Sequence, residues 1–226
     1  MTVLFERPAV LAPTTDGRAV AVRRVFCVGQ NYAAHAREMG ADPSRAPPFF
    51  FTKPADAVVP GPEVPYPSRT ANLHHEVELV VALGAGGRDI PVAQALDHVF
   101  GYAVGLDLTR RDLQAEAKAA GRPWDMAKGF DASGPLGLIT PASVIGHPAA
   151  GAILLDVNGI TRQSGDLSDM IWSVPEIISA LSAFVALEAG DLIYTGTPEG
   201  VGAIAAGDVL AARIDGLAPL DVRIVA

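Results

Sequence analysis

The chain has 226 residues, enough for a full hydrophobic core in one large domain or in a domain with a small appendage. Half of the residues are hydrophobic, which excludes a disordered chain, and the formal net charge of −8 argues against a nucleic-acid partner, since neutralising phosphates takes clustered Lys and Arg. The 23 glycines and 18 prolines among short β-branched runs argue against a helical bundle and predict a turn-rich, strand-rich fold.

Residues 1–22 present no usable motif, and Glu6, Arg7 and Asp16 interrupt any apolar leader. Arg24 to Val28 reads as a strand holding Cys27, the lone cysteine, which is expected to be a small buried thiol. A single cysteine excludes an intrachain disulfide and points to a reducing cytosol. Tyr32 to Met39 reads as a short helix ended by Gly40, with His35 and Glu38 three residues apart. At that spacing the carboxylate can orient and polarise the imidazole, as a base that activates water near neutral pH requires. An exposed helix pair would show the same spacing. Phe49 to Thr52 is a second strand, and Lys53 follows it. The Pro-rich run from Pro60 to Pro67 then divides a small N-terminal segment, residues 1–66, which carries the His/Glu helix, from a core over 67–226.

Beyond that break a strand is predicted near 75–83, opened by His74-His75-Glu76-Val77-Glu78. In an extended chain His74, Glu76 and Glu78 share one face, and His75, Val77, Leu79, Val81 and Leu83 the other. Two carboxylates thus stand roughly 6.6 Å apart on a mostly apolar element, where they repel unless a cation or solvent lies between them. Oxygen ligands favour Mg²⁺, Mn²⁺ or Ca²⁺ over Zn²⁺, whereas a solvated acidic face needs no ion. A strand over 100–106 leads to Asp107. Its small face of Gly101, Ala103 and Gly105 permits close approach of another backbone or a ligand.

A helix over about 109–119 sets Arg111, Gln114 and Lys118 on one face, which is either a receptor for a substrate carboxylate or a solvated surface. Lys128, before Gly129, is a candidate anion contact in a loop. Residues 132–155 lack Asp, Glu, Lys and Arg, but their prolines and glycines break any spanning helix, so no membrane association is expected. Ile153 to Val157 followed by Asn158-Gly159 predicts a tight hairpin. The run 174–188 predicts a helix with a Ser173/Glu176 capping box, an apolar face of Ile177, Ile178, Leu181, Phe184 and Val185, and Gly190 after its end. Strands follow at Leu192–Thr195, Val209–Ile214 and Asp221–Val225, and the segment from Thr195 to Gly202 can offer backbone N–H groups to an anion. No P-loop, dinucleotide fingerprint or nucleophile elbow is present. Strands and helices do not alternate strictly, so the fold class is mixed α/β, β-dominated and largely antiparallel.

Taken together these segments resemble the fumarylacetoacetate hydrolase family. The matching pieces are Gly29-Gln30-Asn31-Tyr32 with His35 and Glu38, Phe51-Thr52-Lys53-Pro54, His75-Glu76-Val77-Glu78-Leu79, and Asp107 with Arg111, Asp112 and Gln114. Lys128-Gly129-Phe130-Asp131, Val157-Asn158-Gly159 with Arg162-Gln163, Asp169-Met170-Ile171, and Gly190-Asp191-Leu192-Ile193 with Thr195-Gly196-Thr197-Pro198 complete the set. Within the family the resemblance is nearest to bacterial fumarylpyruvate hydrolases of gentisate breakdown, through Arg23–Gly29, Pro47–Phe51 and Gly121–Asp131.

The resemblance implies a mixed β-sandwich roll with a few short helices, and a cytoplasmic homodimer. It implies Mg²⁺ or Mn²⁺ held by Glu76, Glu78 and Asp107, with Ca²⁺ only as a crystallisation substitute. The expected reaction is hydrolysis of the C–C bond of a 2,4-dioxo acid such as fumarylpyruvate. His35, oriented by Glu38, and Lys128 are the expected catalytic residues; Arg111, Gln114, Thr197, Gly196 and Lys53 are the expected substrate contacts. Lys53 or Arg122 is expected at the distal carboxylate, although residues 112–127 are short of aromatic cover for a large substrate. Oxaloacetate decarboxylation, isomerisation of a 2-hydroxy-diene-dioate, or mere binding of a 2-oxo acid are the alternatives.

Overall fold

Val77–Leu83 forms the middle of the molecule because nothing in it but Glu78 is polar, and in the computed structural model, which describes residues 4–40 and 46–226, all seven of its residues are buried. A strand covered on both faces reads as a continuous apolar run. Val77, Leu79, Val81 and Leu83 face one hydrophobic cluster, whereas Val80 and Ala82 face a second that contains Cys27 and Tyr194.

The strand lies in a six-stranded sheet whose order is Thr140–Pro141, Val99–Leu106, Val77–Leu83, Leu192–Tyr194, Val25–Gly29 and Phe49–Lys53. A five-stranded sheet, in the order Ile160–Asp166, Ala152–Val157, Val209–Ile214, Leu220–Val225 and Glu63–Pro65, contributes Ile153, Leu155, Leu210, Ala212, Val222 and Ile224 to the first cluster. Two sheets thus enclose one core, with most neighbouring strands antiparallel. A three-stranded sheet of Thr109–Arg110, Leu73–His75 and Gly202–Ile204 caps the end where Asp107 lies. The predicted mixed, β-dominated class is the observed one. Strands from the first 66 residues sit inside sheets built by the rest, and we infer that the N-terminal segment and the core fold as one unit.

Several boundaries differ from expectation. The strand near 75–83 is two strands, Leu73–His75 and Val77–Leu83, joined at Glu76, because the first pairs with the three-stranded sheet and the second with the six-stranded one. The helix expected from 109 begins at Arg111, after Thr109–Arg110 has paired with Leu73–His74. The helix expected over 174–188 is Val174–Phe184: Val185 is extended, and Leu187 exchanges backbone hydrogen bonds with Gly87 at 2.8 and 3.0 Å. Tertiary pairing there outweighs helical propensity. Phe184, expected on the buried face, is 73% exposed. At the helix start Glu176 accepts from the Ser173 N–H at 3.0 Å and hydroxyl at 2.7 Å. Asn158-Gly159 makes the expected hairpin, both residues having positive φ. Among the described residues no helix is long and apolar enough to cross a membrane.

Gly101 supplies the close approach expected of its strand: a Cβ there would stand 2.4 Å from the Thr140 carbonyl oxygen. Gly101→Ala is expected to destabilise the protein by about 1–3 kcal/mol through forced backbone displacement. A lower urea midpoint at unchanged m-value would register it.

Candidate functional site

The register of the central strand pair assembles the acidic cluster. Val77 pairs with Leu106 and Glu78 with Gly105, and the ladder continues where the Asp107 N–H donates to the Glu76 carbonyl at 2.8 Å. Residues facing each other across an antiparallel pair project to the same side, and Glu78, two residues on, joins them. Carboxylate oxygens of Glu76, Glu78 and Asp107, all three buried, lie within 4.8 Å of one another.

Three cations answer these carboxylates. Lys128 Nζ donates to Glu76 Oε2 at 2.8 Å and to Asp107 Oδ2 at 2.7 Å. Arg111 Nη2 donates to Glu76 Oε1 at 2.5 Å, and Lys53 Nζ lies 2.7 Å from Asp107 Oδ1. Glu78 instead accepts the backbone N–H of Gly196 at 2.8 Å. Their protonation differs accordingly. Burial opposes ionisation of Glu76, but Lys128 and Arg111 outweigh it and hold this carboxyl well below the usual range. Burial, then the charges of Asp107 and Glu76, push Glu78 well above it. Burial works against the Lys128 ammonium, yet Asp107 and Glu76 raise its pKa, so it stays charged.

This donor set fits a hard divalent cation. All three ligand groups are carboxylates, and Asp107 Oδ1 is buried with no well-aligned hydrogen-bond donor despite its proximity to Lys53. The cavity against the cluster has a volume of about 30 Å³, room for an ion or a water.

His35, Gln114 and Thr197 line the same cavity, together with Arg111, Lys118 and Lys128. His35 is buried on the helix Ala33–Glu38, and its Nδ1 is 3.1 Å from Glu38 Oε2. Glu38 in turn accepts the Gly200 N–H at 3.1 Å, so the loop beginning at Thr195 holds the pair in place. Arg111 Nη1 donates to Gln114 Oε1 at 2.6 Å, and its Nε to His74 Nδ1 at 3.4 Å. Burial, then Arg111, lower the His74 pKa to about 4, so this histidine is neutral and helps hold Arg111.

Some placements depart from expectation. Lys53 was expected to touch substrate, but its side chain is fully buried and its ammonium serves the Lys128 and Leu108 carbonyls and Asp107. It braces the site. The Gly196 N–H is likewise spent on Glu78; its φ of +100° and a Cβ that would stand 2.7 Å from Asn31 Cβ leave room for glycine alone. Lys128 ends a four-residue helix, Asp125–Lys128, and does not lie in a loop. Residues 112–127, expected to be short of aromatic cover, contribute Trp124, which packs edge-on against Phe49 with centroids 5.1 Å apart.

Gln163 received no role from its position in the sequence. Fully buried, it accepts from Val77 N–H at 3.0 Å and pairs with His75 Nδ1 at 2.9 Å through Oε1. Through Nε2 it donates to Thr197 Oγ1 at 2.8 Å and to the Pro198 carbonyl at 2.9 Å. It thereby locks the start of the strand Val77–Leu83 to the Thr197 loop, and it leaves the Thr197 hydroxyl proton free to donate. Only its place in the motif Arg162-Gln163 could have singled it out, because its strand is mostly polar and no other residue of it is buried.

The family pattern described as Fumarylacetoacetate (FAA) hydrolase C-terminal matches residues 24–225. A fumarylpyruvate hydrolase from Pseudomonas aeruginosa, solved with Mn²⁺ and pyruvate, superposes with a TM-score of 0.97 at 55% identity, covering 99% of each chain. A 2-hydroxyhepta-2,4-diene-1,7-dioate isomerase from Mycobacterium marinum gives a TM-score of 0.81 at 35% identity over 95% of this chain and 77% of that one. The mitochondrial oxaloacetate tautomerase FAHD1 of Rattus norvegicus is 46% identical over 203 residues, 89% of this chain and 91% of its own.

Glu78→Gln keeps an acceptor for the Gly196 N–H and removes one of the clustered negative charges. The metal-free variant is expected to be at least as stable as the wild type, by up to about 2 kcal/mol. The wild type should gain about 2.7 kcal/mol from Mn²⁺ at a hundredfold excess over Kd, and the variant should lose that gain. Thermal unfolding with and without Mn²⁺ checks both; a wild-type metal response in the variant would remove Glu78 from the ligand set.

Proposed function

The chain belongs to the fumarylacetoacetate hydrolase family, and from that premise we propose that it is a metal-dependent hydrolase of 2,4-dioxo acids that cleaves fumarylpyruvate to fumarate and pyruvate. The observation that carries this reading is the buried His35–Glu38 pair on the same small cavity as the three-carboxylate cluster. A base for water beside a seat for a cation is what this hydrolysis needs, and the pair and the cluster support that reading. The 55% identity to a fumarylpyruvate hydrolase holding Mn²⁺ and pyruvate supports the choice of substrate and ion.

Glu76, Glu78 and Asp107 would hold Mg²⁺ or Mn²⁺. When bound, the ion supplies Lewis-acid stabilisation of the negative charge that grows on the pyruvoyl oxygens. The remaining work falls to side chains. Glu38 fixes the His35 proton on Nδ1, so Nε2 is the base. His35 takes a proton from water, and the hydroxide attacks the acyl carbonyl carbon. The C–C bond then breaks with its electron pair on the pyruvoyl methylene carbon. The proton held on Nε2 returns to that carbon, giving pyruvate and the carboxylic acid. Lys128 spends two protons on Glu76 and Asp107, which leaves one for a substrate oxygen. Arg111, Gln114 and the free Thr197 proton orient the 2-oxo carboxylate.

The reading places the protein in the cytoplasm as a homodimer, in aromatic breakdown through gentisate. The 46% identity to an oxaloacetate tautomerase favours one second reading, chemistry on oxaloacetate at the same site, by tautomerisation or decarboxylation.

Loss of enol absorbance from a panel of acylpyruvates and from oxaloacetate, with Mn²⁺, Mg²⁺ or EDTA, tests the proposal. Fumarylpyruvate should be consumed with either metal and spared with EDTA. His35→Ala should lower kcat by about 10² to 10⁴ with a smaller change in KM. Turnover of oxaloacetate with every acylpyruvate left intact would replace hydrolysis by the second reading.

A further inference from the structure

We propose that the cleft walled by Phe49, Phe51 and Trp124 is the acyl subsite of this enzyme, and that Arg122 binds the terminal carboxylate of a dicarboxylic acyl group there. The proposal rests on the hydrolase reading and adds to it a residue that selects substrate.

Space is the first reason. The cavity at the acidic cluster, about 30 Å³, cannot contain an acyl chain as well as an ion. A cleft of about 490 Å³ adjoins it, and Phe51, Trp124 and Lys128 line both. A substrate whose 2-oxo acid end lies at the carboxylates therefore extends its acyl group between Phe51 and Trp124.

The walls suit a flat, conjugated chain. Phe49 and Phe51 lie 5.1 and 6.1 Å from Trp124, centroid to centroid, and make an aromatic corner that gains contact with a planar enedioate. Charge then selects the end group. Lys128 is committed to Glu76 and Asp107, and Lys53 is buried on Asp107 and two carbonyls. Arg122 lines the cleft, is exposed, and has no side-chain partner among the described residues. Asp125 lines the same cleft, so a carboxylate approaching without Arg122 would meet repulsion.

Backbone geometry aims this arginine. The helix Arg111–Ala119 ends in a glycine-terminated motif in which the Gly121 N–H, at φ +61°, donates to the Lys118 carbonyl at 3.2 Å and the Arg122 N–H to that of Ala117 at 2.8 Å. Pro123 follows and fixes the next φ. The helix carrying Arg111, which orients one end of the substrate, thus also fixes the backbone of Arg122 for the other end, so that only the side chain is ordered on binding.

The test compares kcat/KM for fumarylpyruvate and for acetylpyruvate, which lacks the second carboxylate, in the wild type, Arg122→Met and Arg122→Lys, all saturated with Mn²⁺. Losing a charge-assisted contact should lower the fumarylpyruvate-to-acetylpyruvate ratio by about 10- to 100-fold in Arg122→Met, mainly through KM, with partial recovery in Arg122→Lys. Inhibition by fumarate should weaken in parallel, whereas inhibition by the monocarboxylate crotonate should hold. A ratio within twofold of wild type, or equal losses on both substrates, would overturn the role of Arg122 and leave the hydrolase reading standing. A wild type that cleaves neither acylpyruvate would overturn both.

Discussion

Three buried carboxylates whose oxygens lie within 4.8 Å of one another are the constraint around which this molecule is built. Such a cluster survives only where cations and donors are placed for it, since leaving one buried charge unpaired costs several kcal/mol. Lys53, Lys128 and Arg111 come from a strand end, a four-residue helix and the first turn of another helix, and each converges on Glu76 or Asp107. With all six groups ionised, the charges balance. A divalent ion held there would add two positive charges, available to a dianionic ligand. Glu78, which has only a backbone N–H, depends most on that ion.

The loop beginning at Thr195 ties the His35–Glu38 pair to the carboxylate cluster. Its Gly196 N–H holds Glu78, its Gly200 N–H holds Glu38, and Gln163 clamps Thr197 and Pro198 to the start of the central strand. Asn31, next to the helix of His35, donates to the Thr195 and Trp172 carbonyls at 2.8 and 2.9 Å. A displacement of this loop would therefore move Glu78 and the His35–Glu38 pair together. Rigid support of this kind is what a positioned general base requires.

Much of the site was legible in the order of residues. Alternation placed Glu76 and Glu78 on one side, and the two apolar runs that end near Glu76 and Asp107 are antiparallel neighbours. Three-residue spacing gave the His35–Glu38 contact, because one helical turn brings such residues together. What escaped depended on partners far along the chain. Lys53 looks like a loop lysine until Asp107 and two carbonyls surround it. Gln163 sits in a mostly polar strand and is buried between the start of the central strand and the Thr197 loop. Trp124 meets Phe49 only when the short helix that follows it, Asp125–Lys128, packs on the strand Phe49–Lys53.

The sequence by itself determined the class of fold, most of the strands and their faces, the shared face of Glu76 and Glu78, and the contact of His35 with Glu38. These follow from periodicity, local spacing and family motifs carried by short segments. Tertiary structure decided where the strand breaks at Glu76, which lysine faces the cavity and which is sealed beneath it, and which arginine stands over the neighbouring cleft. Those outcomes turn on burial and on competition for the same carboxylates. Both are set by the packing of segments distant along the chain, and no local pattern encodes them.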